Sequence, residues 1–156
     1  MQQFATDMDA ATAQAEGENP DNQKIIGDIK KARNDFNKGM EKTLTKEQWQ
    51  EYQALVDQVF QETFEDVAEI RIMDLEPILD LTEEQAAGLK PVMGTAIRNM
   101  VGTLFEYGDK KLNTRTKVKL AKSLKRIQSD MNKGMEAVLT PEQMQKYQAY
   151  KESQKG

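Results

Sequence analysis

The chain has 156 residues, and its 22 basic and 26 acidic side chains give a net charge of −4 at pH 7. It contains no cysteine and no histidine, so disulfides, thiol chemistry, histidine-ligated zinc and catalysis by Ser–His or Cys–His pairs are excluded. Leu, Ile, Val and Phe supply only about one residue in five, which favours long helices that share a narrow core over a compact globule. No apolar run approaches the roughly 18 residues of a membrane span. Residues 1–23 lack the basic and apolar segments of a signal peptide.

Apolar residues recur at helical spacing from the start of the chain. Residues 1–16 are predicted to form a short helix that ends at residues 17–20, where glycine and proline stand. Asp21 or Asn22 can cap the second helix. The apolar faces of these two helices consist of Phe4, Met8, Ala11 and Ala15, and of Ile25, Ile29, Ala32, Phe36 and Met40.

A longer third helix is predicted to begin at Thr45 and to run to about Asp74. Pro77 sets this end, because proline disfavours helical backbone at the residue before it. The residues expected to face inward are Trp49, Tyr52, Val56, Val59, Phe60, Phe64, Val67 and Ile70.

The second half of the chain predicts three further helices. One begins at Thr82 and ends at Gly108, one follows the loop at Asn113, and the last begins at Thr140. Their inward faces are Ala86, Leu89, Met93, Ile97, Met100, Val101 and Leu104, then Leu120, Leu124, Ile127, Met131, Met135 and Val138, then Met144, Tyr147 and Tyr150. No segment alternates with period two for long enough to form a sheet. The predicted fold is therefore all-α, built from long antiparallel helical hairpins in an elongated arrangement.

One segment occurs twice, 95 residues apart. The sequence Asn-Lys-Gly-Met-Glu stands at residues 37–41 and again at residues 132–136, and Leu-Thr-x-x-Gln follows each copy. Self-similarity at a fixed offset indicates a partial internal duplication. We expect a partial first helical unit over residues 1–74 and a complete second unit over residues 75–156, packed as one domain. The narrow core predicts either a homodimer or an internal pseudo-dimer of the two units.

The Leu-Thr-x-x-Gln motif occurs a third time, between the two repeats. In each copy the threonine hydroxyl can cap the start of a helix, and the glutamine side chain can accept a hydrogen bond from the threonine amide. The leucine can pack against the first turn of the helix. The motif residues are Leu44, Thr45 and Gln48; Leu81, Thr82 and Gln85; and Leu139, Thr140 and Gln143. The motif is thus either a helix start signal alone or part of a recognition surface.

With these paired motifs, the chain resembles the Spy/CpxP family of bacterial periplasmic proteins. Residues 75–154 match best, with Leu79–Gln85 similar to the first family motif and Val138–Gln143 followed by Tyr147 similar to the second. The resemblance implies an all-helical fold, periplasmic location, and a holdase-like or stress-response role.

Charge is distributed unevenly along the chain. Residues 58–90 hold nine acidic and two basic side chains, whereas residues 91–156 hold thirteen basic and six acidic ones. On the fifth helix, four cations lie opposite the apolar stripe, so they face either solvent or a partner; they are Arg115, Lys122, Arg126 and Lys133. The predicted client-binding set takes three of these cations, Lys119 of the same helix and three apolar residues of the preceding helix. Its members are Arg115, Lys119, Lys122, Arg126, Met93, Met100 and Phe105.

Two clusters raise the question of metal binding. Nine methionines could bind Cu(I), but most lie on core stripes, where flexible packing explains them better. The carboxylates of Glu62, Glu65, Asp66 and Glu69 could bridge a divalent ion, although neutralisation by the basic helix is simpler. We therefore predict no metal and no cofactor.

The sequence predicts an ATP-independent periplasmic holdase or stress-response protein that binds unfolded clients, and not an enzyme. The alternatives are a signalling or structural module that binds one folded protein, and a metal-responsive regulator. Nucleic acid is not an expected partner, because no aromatic residues alternate with the cations and the net charge is negative.

Overall fold

A computed structural model describes Gln3, Thr6, Asp7, Ala10 and residues 21–154 of the chain. Within residues 21–154 it contains five helices and no strand, which confirms the all-α class. The helices are α1 (Asn22–Thr43), α2 (Lys46–Leu79), α3 (Glu83–Gly108), α4 (Thr114–Glu136) and α5 (Pro141–Ser153). Short loops join them, as expected for antiparallel hairpins.

The helix predicted over residues 1–16 and its end at residues 17–20 lie mostly outside the described residues. Gln3, Thr6, Asp7 and Ala10 are described, and all four are helical. The start of α1 is capped as predicted, because the Asp21 carboxylate accepts a hydrogen bond of 3.1 Å from the Lys24 amide.

The predicted end of α2 at Asp74 is wrong, because the helix continues through Pro77 to Leu79. Leu75 and Leu79 are buried in the core, and their burial offsets the hydrogen bond that proline removes. The helix ends instead at Asp80, whose φ of 56° turns the chain. The Asp80 and Leu81 amides both donate to the Glu76 carbonyl, at 2.9 and 3.4 Å, which satisfies the helix end.

The chain divides into two compact units, each of which combines two separate stretches. Unit 1 comprises residues 1–57 and 102–120, and unit 2 comprises residues 58–101 and 121–156. The boundary predicted at residue 74 lies inside α2 and stays a prediction of the sequence. Helices of a hairpin pack against each other even when they are far apart in sequence, so each unit takes a part of several helices.

Unit 2 contains the larger set of buried residues. Helices α2, α3, α4 and α5 all contribute side chains to its core cluster. The cluster consists of Ala68, Ile72, Leu75, Leu79, Leu89, Met93, Met135, Leu139 and Tyr147. Glycines allow two close approaches beside this core. A Cβ at Gly94 would lie 2.7 Å from the Glu65 side chain, and one at Gly134 would lie 2.6 Å from Val92.

The predicted inward face of α2 is wrong at four of its five positions between residues 59 and 70, and Phe64 is the half-buried exception. Val59, Phe60, Val67 and Ile70 are exposed, while the face carrying Ala68 is buried. This helix has apolar residues on two sides, and only one side can face its neighbours in unit 2. A similar error affects the end of α3, where the predicted core residues Met100, Val101 and Leu104 are exposed.

Unit 1 is held by α1, the start of α2 and the end of α3. The Lys30 ammonium pairs with the Asp109 carboxylate, donates to the Glu106 carbonyl at 2.8 Å, and lies 5.5 Å from the centroid of the Phe105 ring. The ammonium also holds the pKa of Asp109 below its ordinary value. Among the stripe residues predicted for α1, Ile25 and Ala32 are buried and the other three are half-buried.

Candidate functional site

The three Leu-Thr-x-x-Gln motifs start α2, α3 and α5, and each forms a capping box. At Thr140 the hydroxyl accepts from the Gln143 amide at 3.2 Å, and the Gln143 side chain accepts from the Thr140 amide at 2.9 Å. The same pair of bonds forms at Thr82 and at Thr45, with distances of 3.0–3.3 Å. Each motif therefore satisfies two amides that a helix start would otherwise leave unpaired.

Two of these motifs also bind each other in unit 2. The Gln85 side-chain amide donates to Gln143 Oε1 at 2.8 Å, and the Gln143 amide donates to Gln85 Oε1 at 3.0 Å. We refer to this pair of side chains as the glutamine clasp. It joins the starts of α3 and α5, which are 58 residues apart in sequence, so the motif is more than a start signal.

Bonds to the backbone extend the clasp in a nearly symmetric way. Gln85 donates to the Val138 carbonyl at 3.3 Å, and Gln143 donates to the Asp80 carbonyl at 3.3 Å. Each acceptor lies two residues before the threonine of the opposite motif. Gln143 also donates to the Leu79 carbonyl at 3.1 Å. An approximate twofold axis therefore relates the hydrogen bonds of one motif to those of the other.

Burial makes the clasp important for stability. Gln143 is only 9% exposed and lies beside a core that includes Leu139 and Tyr147. A buried amide must form its hydrogen bonds within the protein, because an unsatisfied group costs about 1–3 kcal/mol. Burial also raises the pKa of the Tyr147 phenol. The sequence predicted each capping box but not the clasp, because nothing local to either motif specifies the opposite one.

The first motif differs from the other two in its surroundings. Thr45 and Gln48 are exposed, and the Gln48 side-chain amide donates to no group among the described residues. Tyr52, the counterpart of the buried Tyr147, is half-buried and stacks against Trp49 at 5.6 Å between ring centroids.

A second feature of unit 2 is an exposed apolar surface on α2. Val59, Val67, Ile70 and Met73 are 52%, 43%, 64% and 63% exposed; we refer to these four residues as the α2 apolar face. At about 100° per residue they fall within an arc of roughly 120°, on the side of the helix opposite the buried Ala68 and Ile72. The carboxylates of Glu62, Asp66 and Asp74, all exposed, lie on or beside this arc.

The predicted client-binding residues differ in exposure, and each unit contains only some of them. Arg115, Lys119, Lys122 and Arg126 are exposed on α4. Within the described chain, the one ion pair that they form joins Arg126 to Asp130 of the same helix, at 3.8 Å. Met93, by contrast, is 7% exposed and belongs to the core, so it cannot contact a client. Met100 is exposed, and Phe105 is half-buried beneath Lys30.

The acidic cluster of α2 is partly balanced by one cation of the neighbouring helix. Lys90 of α3 binds Glu69 at 2.8 Å and Asp66 at 3.4 Å, and the hydrogen bond to Glu69 raises the pKa of Lys90. Glu62 and Glu65 each accept from a glutamine one turn earlier in the helix, at 2.8 and 2.9 Å. The cation that pairs with this cluster thus comes from α3, whereas the sequence predicted that the basic helix α4 would supply it. Across the described residues, no group of three or more carboxylates is arranged to hold a metal ion.

Comparison with protein-family models, with curated protein sequences and with solved structures gave no match. The resemblance to the Spy/CpxP family therefore depends on the Leu-Thr-x-x-Gln motifs. Among the described helices, none is long and apolar enough to cross a membrane.

Proposed function

We propose that the protein is an ATP-independent, holdase-like chaperone or stress-response protein of the bacterial periplasm, which binds unfolded segments of client proteins on the α2 apolar face. The observation that carries the proposal is the exposure of these four side chains, which lie on one side of one helix. Exposed apolar side chains that lie together on one side of a helix are typical of protein interaction sites. The motif resemblance supports the periplasmic setting.

The size of this surface suits transient holding. Complete burial of a side chain such as Val, Ile or Met is worth about 1.5–3 kcal/mol, so four half-exposed ones offer roughly 4 kcal/mol in all. A free energy of about 4 kcal/mol corresponds to a millimolar dissociation constant. A client that covers only this face is therefore released readily, and release without ATP is what a holdase requires.

The charges around the α2 apolar face determine which client segments it attracts. Glu62, Asp66 and Asp74 flank or interrupt the α2 apolar face and give it a negative potential, which favours segments that combine apolar and basic residues. The exposed cations of α4 offer a separate surface that attracts acidic segments. The protein would thus bind clients of either charge at different places.

The test is suppression of aggregation of three unrelated denatured proteins, with this protein titrated from an equimolar amount up to about 1 mM, because the α2 apolar face alone gives a millimolar affinity. Replacing Ile70 and Met73 with serine should reduce the suppression at least about fivefold, because it removes the two most exposed residues of the face. The matched control replaces Leu112 and Val118 with serine, since these are exposed to 50% and 48% but lie on other elements. If the wild type protects none of the clients, or if both double variants lose the same activity, the proposal is wrong.

The alternative is a module that binds one folded protein. The spacing of Val67, Ile70 and Met73 favours this reading, because anchors three residues apart let a helix enter a groove of a partner. A single saturable partner, with no protection of unrelated clients, would support this alternative over the holdase.

A further inference from the structure

Unit 1 carries a run of positive charge on residues 110–119, which form the loop after α3 and the first turns of α4. We refer to this run as the cationic segment. It contains no acidic side chain, and Leu112 and Val118 stand among its cations with 50% and 48% of their surface exposed. The cations are all exposed, and they are Lys110, Lys111, Arg115, Lys117 and Lys119.

The acidic side chains just before this segment in the chain are already paired. Asp109 binds the Lys30 ammonium of α1, and Glu106 binds Lys110 at 3.2 Å. Lys110 also lies 4.6 Å from the centroid of the Tyr107 ring. Within the described residues, no carboxylate forms an ion pair with the other four cations. The cationic segment therefore presents four charges that no side chain of the described chain balances by direct contact.

These cations do not stabilise the helix on which they lie. The start of a helix is the positive end of its dipole, where a further cation is unfavourable. Arg115 stands in the first turn of α4, and this turn has no acidic side chain. The side chain of Asn113, which accepts from the Thr116 amide at 3.0 Å, is neutral. The fold alone thus gives no reason for positive charge at this place, whereas an anionic partner does.

The exposed apolar side chains lie between the cations. At about 100° per residue, Lys117 and Lys119 fall roughly 100° to either side of Val118 around α4. Arg115 falls about 60° from Val118, and Leu112 lies in the loop just before this face. The long stems of Lys and Arg can run beside an inserted apolar group while their charged ends stay in water. A face of this kind fits a surface that has anionic groups above an apolar layer.

We propose that the cationic segment docks on the surface of an anionic phospholipid bilayer. The four free cations bind lipid phosphates, and Leu112 and Val118 enter the boundary between the headgroups and the acyl chains. Each Lys or Arg close to an anionic bilayer strengthens binding roughly fivefold, so four of them together contribute roughly several hundredfold. Such a contact holds the protein at the membrane surface and needs no membrane-spanning helix.

The composition of the segment favours a bilayer over other anionic partners. An acidic polypeptide matches the charges but offers no apolar layer for Leu112 and Val118. Single-stranded nucleic acid is bound largely by stacking on aromatic side chains, and residues 110–119 contain none. Arg115 also belongs to the cations of α4 that attract acidic client segments, so a bilayer and an acidic client compete for this side chain.

The first test is co-sedimentation of the full chain with lipid vesicles. At about 0.1 M salt, where charges act over roughly 10 Å, the protein should bind vesicles of phosphatidylcholine that contain phosphatidylglycerol. It should not bind vesicles of phosphatidylcholine alone. Raising the salt concentration to about 0.5 M should weaken the binding at least about tenfold, because screening removes the attraction of the cations.

A charge variant locates the contact. Lys111→Gln with Arg115→Gln should weaken vesicle binding at least about tenfold, because two of the four free cations are lost. The matched control is Lys31→Gln with Lys38→Gln, two exposed cations of α1 in the same unit, which should leave the binding unchanged. The urea midpoint of the first variant should not fall, because loss of a cation from the first turn favours α4. Weaker binding is then not a result of unfolding.

A second pair of variants separates this surface from the α2 apolar face. Leu112→Ser with Val118→Ser should weaken vesicle binding at least about fivefold, because the inserted groups are lost. Ile70→Ser with Met73→Ser should leave vesicle binding unchanged. In the aggregation assay the two double variants should show the opposite pattern, so vesicle binding and client holding can fail independently of each other.

Three results would overturn the proposal. The first is a protein that does not bind vesicles containing phosphatidylglycerol. The second is vesicle binding that neither the charge variant nor Leu112→Ser with Val118→Ser weakens, since another surface would then make the contact. The third is binding to soluble polyglutamate that is as tight as binding to the vesicles, because charge alone would then account for the interaction and an acidic polypeptide would be the occupant.

Discussion

The glutamine clasp makes a strong prediction about Gln143. In Gln143→Ala, the carbonyls of Leu79 and Asp80 lose a donor, Gln85 loses its reciprocal bonds, and the Thr140 amide loses its capping acceptor. At about 1 kcal/mol for a typical bond, with extra cost for buried groups left unpaired, the loss should be roughly 3 kcal/mol of unfolding free energy. That is a large part of the stability of a domain of this size.

Urea unfolding followed by circular dichroism measures the effect. The matched control is Gln145→Ala, two residues further along α5, where the side chain is exposed; it should change the unfolding free energy by less than about 0.5 kcal/mol. Gln143→Glu keeps the shape but replaces the donor with an anion, so it should destabilise more at pH 7 than at pH 4, where a protonated carboxyl again donates. If Gln143→Ala unfolds at the same urea concentration as Gln145→Ala, the clasp does not contribute to stability and this reasoning is wrong.

Three further predictions test packing, ionisation and surface charge. Gly94→Ala should destabilise by about 1–3 kcal/mol, because the new methyl group would lie 3.0 Å from the Glu65 Cα, whereas Gly102→Ala, with nothing within 4 Å among the described residues, should stabilise by roughly 0.5–1 kcal/mol in the same urea assay. The raised pKa values of Tyr147 and Lys90 both predict loss of stability as pH rises past their ordinary values of 10.0 and 10.5. Folding favours the neutral phenol of Tyr147 and the charged form of Lys90, so a urea midpoint that is unchanged between pH 9 and pH 11 would contradict both assignments. Reversing three cations of α4 should slow the association of acidic clients, with stability changed by less than about 0.5 kcal/mol; an unchanged association rate in stopped-flow measurements would leave these cations a role in solubility alone. The variant for this last test carries Arg115→Glu, Lys122→Glu and Arg126→Glu.

The sequence by itself determined the local structure of this protein. Helical spacing of apolar residues gave the all-α class, and the Leu-Thr-x-x-Gln motifs placed the starts of α2, α3 and α5 correctly. These features are predictable because a capping box forms between residues three positions apart, and a helical stripe repeats every few residues. The internal duplication and the elongated arrangement stay predictions of the sequence.

Only the tertiary structure decided which of several possible faces is buried. On α2, the sequence allows either the side of Val59 and Ile70 or the side of Ala68 and Ile72 to face inward, and the neighbouring helices select the second. Burial of Leu79 likewise carries α2 past Pro77, although the local preference is to stop. The glutamine clasp has the same origin, because its two side chains meet only when α3 and α5 pack together. Selection among faces depends on the packing partners of a helix, and those partners are distant in sequence, so no local pattern encodes them.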